Sequence, residues 1–102
     1  MSVVARGAQL EAIKTNGLRI EAVGETFTAQ VAASADPAVL GKQDAVIVTV
    51  KAPALPSVAA AIAPLLRADT PVAFVMNGVP WWYFHAHGGA LEGRRLPVVD
   101  PG

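Results

Sequence analysis

Cysteine is absent from the 102 residues. Disulfides and cysteine-based metal sites are therefore excluded, and a cytoplasmic setting is the default. Charge is also scarce. Only 16% of residues are Asp, Glu, Lys or Arg, against about a quarter in a typical soluble domain. Eight cations balance eight anions, for a formal net charge of zero. A general nucleic-acid binder needs a basic surface that displaces counterions, so nucleic acid is not an expected partner. A surface so close to neutral associates readily. Long hydrophobic runs are missing too. The longest, "VAAAIAPLL" from Val58 to Leu66, falls far short of the roughly 20 residues that a membrane-spanning helix needs. The early apolar residues run straight into Arg6, which is not the pattern of a secretory signal. No membrane partner is expected. There is no glycine-rich dinucleotide fingerprint, no P-loop and no G-x-S-x-G elbow, and the acidic residues are scattered.

What is present is apolar, 53% of the chain, and patterned. Ser2–Ala5 reads as a short strand. Gly7 permits a tight turn, and Ala8–Thr15 reads as a helix with Leu10 and Ile13 on one side. Asn16-Gly17 is a stop signal, since both residues tolerate the left-handed conformation that ends helices. "LRIEAV" alternates, with Leu18, Ile20 and Ala22 on one face. "FTAQV" alternates likewise, with Phe27, Ala29 and Val31 together. Gly24-Glu25 between them suits a two-residue turn, so the pair predicts an antiparallel hairpin with one wet face. Asp36-Pro37 predicts an N-cap and first helical position, starting one short turn that ends at Gly41. "AVIVTV" (Ala45–Val50) and "VAFVM" (Val72–Met76) are apolar throughout, the signature of adjacent parallel strands buried on both faces. Between them Leu55–Leu66 has helical spacing, and it predicts a helix packed across the two strands. Pro64 should kink or end that helix. Strand–helix–strand units with apolar strands imply an α/β fold with a parallel sheet.

Three of these strands run into a polar residue: Arg6, Lys51 and Asn77. Ligands of open parallel sheets bind outside the carboxyl ends of the strands, so the three residues are candidates for one anion-binding edge. Strands must also end somewhere, and a polar residue there can simply meet water. The pattern alone leaves both readings open. Arg6 carries an added reason. In dinucleotide folds an acidic residue after the second strand favours NAD, whereas an arginine accommodates the 2′-phosphate of NADP. Trp81–Phe84 places four aromatics in a row, and they cannot all face inward in one small domain. Some cover a ligand or a partner, or the cluster packs under its own loop. His85 and His87 form an H-x-H pair with no third ligand nearby, so no metal is assigned to them.

Taken in order and spacing, "VVARGAQLEAIKTNGLRI", "DAVIVTVKAPALPSVAAAIAPLL" and "TPVAFVMNGVPWWYFH" resemble the nucleotide-binding domain of ketopantoate reductases. These are NADPH-dependent 2-dehydropantoate 2-reductases of pantothenate biosynthesis. The resemblance covers nearly the whole chain. It implies that Arg6 contacts the 2′-phosphate of NADP, that Lys51 lies near the cofactor, and that Asn77 lies by the nicotinamide end and the substrate. The family begins with a strand, a G-x-G-x-x-G turn and a helix, whereas this sequence starts at what would be the second strand. It also stops before the helical C-terminal domain that carries the family's catalytic lysine. The resemblance therefore implies a truncated dinucleotide-binding domain over residues 1–102. Its fold would be a partial Rossmann-like parallel sheet with an antiparallel hairpin, lacking the first βα unit. No catalytic residue is assigned within it.

Two functions from different classes follow. One is part of an NADPH-dependent 2-dehydropantoate 2-reductase with a partial NADP site, weak in the absence of a glycine-rich turn. The other is a non-catalytic module that self-associates through an exposed sheet edge, forming a homodimer. An unblocked apolar edge with few charges favours pairing with a second chain.

Overall fold

The computed structural model describes residues 1–80 and 82–98. The chain forms two units, Met1–Val46 with Ala61–Pro71, and Ile47–Ala60 with Val72–Gly102.

In the first unit, β1 (Ser2–Val4) leads through Arg6 into α1 (Gly7–Asn16). Leu10 and Ile13, one helical turn apart, are buried with Ala5. Val3, Leu18, Val31 and Ala33 pack around them. The helix stops at Gly17, whose φ of +79° is costly for any residue with a Cβ. Its N–H donates to the Ile13 carbonyl at 2.9 Å. A Cβ at Gly17 would lie 2.8 Å from the Ala29 carbonyl oxygen, so this position also needs glycine for space.

β2 (Leu18–Ala22) and β3 (Glu25–Ala29) form the expected antiparallel hairpin, with Ile20 opposite Phe27. Two expectations about it are corrected. The turn is Val23-Gly24 rather than Gly24-Glu25, because Glu25 is already paired with Ala22. Both turn residues have positive φ, +46° and +80°, as the twist-matched type I′ turn requires. The hairpin is also wet on both faces. Ile20 and Phe27 remain 54% and 56% exposed, since no other layer among the described residues lies against them.

The next strand, β4 (Ala32–Ser34), has no strand signal in the sequence. Alanine and serine have little strand preference of their own. Here they are extended because they pair with β1 in parallel, Ser2 to Ala32 through Val4 to Ser34. α2 (Pro37–Leu40) is the single turn that Asp36-Pro37 predicts. The Asp36 carboxylate accepts the Ala38 N–H at 3.0 Å, and Gly41 ends it at φ +70°. The 61–71 segment is tied to residues 42–46 by polar contacts. Lys42 Nζ donates to the Ala63 and Leu66 carbonyls, Thr70 Oγ1 donates to the Gln43 carbonyl, and Arg67 pairs with Asp44 at 2.8 Å.

β5 (Val46–Val48) and β6 (Val72–Phe74) form a separate two-stranded sheet. The Val46 N–H donates to Pro71 and the Val75 N–H to the Val48 carbonyl. These bonds advance in the same direction along both strands, so the pair is parallel, as the sequence implies. The strands are shorter than Ala45–Val50 and Val72–Met76, and their burial is not two-sided. Val48 is 5% exposed, but Ile47 is 67% and Phe74 50% exposed. A two-stranded sheet offers too little second layer to cover both faces. The helix expected over Leu55–Leu66 is likewise shorter. α3 (Leu55–Ala61) ends ahead of Pro64, and Ala63–Leu65 forms a 3-10 turn. Pro64 lacks the N–H that an α-helix needs and clashes with the preceding turn. Leu55 is the buried residue of α3.

The architecture is α/β, with two parallel strand pairs and one antiparallel pair. No helix among the described residues is long and apolar enough to cross a membrane.

Candidate functional site

β5 and β6 run in the same direction, so the residues after them emerge at a common edge. Thr49 to Ala52 follow β5, and Val75 to Asn77 follow β6. Together they line an open cavity of about 300 Å³. Both sequence candidates of this unit, Lys51 and Asn77, are in its wall. Lys51 sits just before a 3-10 turn, Ala52–Ala54, in extended conformation, and its carbonyl accepts the Ala54 N–H at 2.9 Å. Pro53 fixes the backbone of that turn, and Ser57 Oγ bonds the Ala54 carbonyl at its far end. The turn therefore sets where Lys51 leaves the sheet. Thr49 and Met76 line the same cavity but were not singled out in the sequence. Their signal was only adjacency to Lys51 and Asn77.

Arg6 lies in the first unit, in the N-cap position of α1, with φ −133° and ψ 158°. Its side chain makes no cap hydrogen bond. The ion pairs found among the described residues are Arg19 with Glu21 and Arg67 with Asp44, so Arg6 and Lys51 are in neither. Thus the structure brings Lys51 and Asn77 together in one cavity wall, and Arg6 belongs to the other unit.

The segment beyond Asn77 carries the aromatic run. Trp81 lies outside the described residues. Trp82 meets Phe74 of β6 edge to face at 5.6 Å between centroids. Tyr83 packs on Phe84 and Phe84 on His87 in the same manner. The aromatics thus partly cover one another, the packing the sequence left open beside ligand coverage. No group of three or more His, Asp or Glu capable of holding a metal occurs among the described residues. Glu92, which belongs to no sequence motif, accepts hydrogen bonds from the backbone N–H of Ala86 and Gly88. These bonds, with that of Gly88 the largest effect, hold its carboxyl below the usual carboxylate range, and His85 adds to the shift. The available signal was an acid among glycines, where turns leave backbone donors to be satisfied.

Comparison with known proteins bears on the whole of this arrangement. The family model "Ketopantoate reductase PanE/ApbA" matches residues 1–80. A 2-dehydropantoate 2-reductase of Mesorhizobium japonicum is 54% identical over all 102 residues, which span 31% of that protein's length. A crystal structure from Ralstonia solanacearum MolK2 superposes with a TM-score of 0.89 at 57% identity, covering 98% of this chain and 31% of that one. A PanE/ApbA family ketopantoate reductase from Ralstonia eutropha JMP134 gives a TM-score of 0.68 at 33% identity, over 76% of this chain and 26% of its own. The fold is therefore that of the corresponding part of these reductases. The matched residues run from β1 past β6 and include the Lys51–Asn77 edge, and the chain belongs to the ketopantoate reductase PanE/ApbA family.

Proposed function

We propose that this chain supplies dinucleotide-binding elements of an NADPH-dependent 2-dehydropantoate 2-reductase. The observation that carries this reading is the cavity at the carboxyl ends of β5 and β6, with Lys51 and Asn77 in its wall. Parallel sheets bind nucleotides at this place. The residues fit part of the cofactor. Lys51 and Arg6 are cations outside both ion pairs of the described residues, and they suit phosphate oxygens. Arg6 follows a strand and precedes a helix, where an arginine favours the 2′-phosphate of NADP over NAD. Asn77 offers both a donor and acceptors to a polar ring substituent. A pyrophosphate cradle is not among these residues, because the chain has no glycine-rich turn. The bound dinucleotide supplies the hydride for reduction of a ketone. Within this chain the residues bind and orient, and none is assigned to proton transfer.

Calorimetric titration with NADPH tests this reading. The 102-residue chain should bind in the range of about 0.1–1 mM, equivalent to roughly 4–5.5 kcal/mol. Lys51→Ala should weaken binding by about tenfold, the loss of one charge-assisted contact. NADH binding as tightly as NADPH would rule out the 2′-phosphate role for Arg6. Purified chain mixed with NADPH and 2-dehydropantoate should show no turnover.

A second reading is a non-catalytic module that self-associates as a homodimer. Its support is the exposed apolar surface of the second strand pair, where Ile47, Phe74 and Val75 are all at least half exposed. Light scattering at micromolar concentration distinguishes the two states. A stable monomer would remove this reading.

A further inference from the structure

We infer that the Glu92 carboxylate is an acid-sensitive latch that closes the loop over residues 82–93 and fixes its aromatic side chains. The inference concerns the order of this loop and does not depend on nucleotide binding.

The loop is a chain of tight turns. Tyr83 N–H donates to Pro80, His85 to Trp82, and Glu92 to Gly89. A backbone bond joins its two ends, from the Gly93 N–H to the Phe84 carbonyl at 3.0 Å. Three of its residues have left-handed backbones, Ala86 at φ +58°, Gly88 at +73° and Gly93 at +70°. Such a conformation turns successive N–H groups toward one point and makes a small anion-binding concavity. In this chain the anion is internal. One oxygen of Glu92 accepts the Ala86 N–H at 2.8 Å, and the other accepts the Gly88 N–H. The carboxylate also helps to hold Ala86, the one non-glycine of the loop with positive φ, in a backbone conformation disfavoured for alanine.

Closing the loop has a consequence at its other end. Phe84, which receives the Gly93 N–H, also packs on Tyr83 and on His87. Trp82, two residues earlier, packs edge to face on Phe74 of β6. The loop that the latch closes thus also carries the ring that packs on the strand, two residues before Phe84.

Both bonds need the ionised carboxylate, because protonation leaves one oxygen as an O–H and weakens the other as an acceptor. The folded carboxyl lies below its ordinary range, so the latch contributes above the unfolded value and is lost as pH falls through the folded value. The titratable groups acting on Glu92 are His85, which attracts it, and His87, whose backbone also bonds it.

Amide NMR of the complete 102-residue chain tests the latch between pH 7 and 3. The Ala86 and Gly88 N–H resonances should move upfield together, with a common midpoint below that of an ordinary glutamate. The indole resonance of Trp82 should broaden over the same interval. Glu92→Gln keeps the shape and one acceptor oxygen but cannot titrate. It should abolish the coupled movement while the hairpin resonances of Arg19–Thr28 stay in place. Wild-type Ala86 and Gly88 amides that stay constant, or that titrate at or above the ordinary value, would overturn the inference without recourse to any variant. So would an unchanged titration in Glu92→Gln.

Discussion

The two parallel strand pairs of this chain invert a common expectation. β1 and β4 are built from serine, alanine and valine, yet they sit with α1 in a closed cluster around Ala5, Leu10 and Ile13. β5 and β6 are the more apolar pair, yet they leave Ile47 and Phe74 largely open. Apolar character in a strand states how much cover the strand needs. It does not state that the same chain provides it. In the first unit, residues 7–16 provide a helix directly after the strand, with two large side chains on the right face. In the second, the short α3 leaves little among the described residues to cover the sheet. Burying Ile47 and Phe74 against a further layer would contribute on the order of 1–2 kcal/mol each. That is the surface on which the self-association reading rests.

Substitutions in the two units can break or sharpen this contrast. The largest effect should come from Leu10→Ala, which removes the centre of the first cluster and should cost about 3 kcal/mol. Val48→Ala in the second unit should cost roughly half as much, since it removes fewer methyl groups beside a half-covered sheet. Hydrogen exchange resolved by residue reads the two units separately. An equal loss of protection at β5 and β6 in Leu10→Ala would show that the contrast between the units is not energetic.

A smaller loss is expected at Gly17. Alanine there must adopt positive φ and meet the Ala29 carbonyl oxygen. Together these should cost roughly 2 kcal/mol and loosen the hairpin where it leaves α1. Urea denaturation followed by circular dichroism measures it, and an unchanged midpoint would show that the Gly17 contact relaxes freely. The smallest effect carries the opposite sign. Val23 is a fully exposed β-branched residue at φ +46° in the hairpin turn. Val23→Asn should stabilise the hairpin by up to about 1 kcal/mol, because asparagine tolerates this backbone and completes an Asn-Gly turn. The same denaturation series would show a raised midpoint. A lowered one would mean that the Val23 side chain makes a contact of its own.

Residues acting over a few positions could be read from the sequence by itself. Asp36-Pro37 caps its turn, Gly17 ends α1, Pro64 ends α3, and Lys51 and Asn77 follow their strands where the apolar runs stop. These outcomes depend on local backbone rules, which any chain with those residues must obey. The order and spacing of the three longer motifs also carried the family, since they reflect a particular succession of strands, helices and turns. Other features depended on partners distant in sequence. Ala32–Ser34 is a strand because β1 is beside it, and nothing in "AAS" requires that. Ile47 is exposed because no second layer among the described residues faces it, although its strand reads as buried. The hairpin turn falls one residue earlier than Gly24-Glu25 because cross-strand register, set by Ile20 against Phe27, takes Glu25 into the ladder. Glu92 gained its role only when the loop brought Ala86 and Gly88 to its carboxylate. Local sequence fixes what each backbone segment can do, but burial and pairing belong to the surfaces that meet, and those are decided only when the chain has folded.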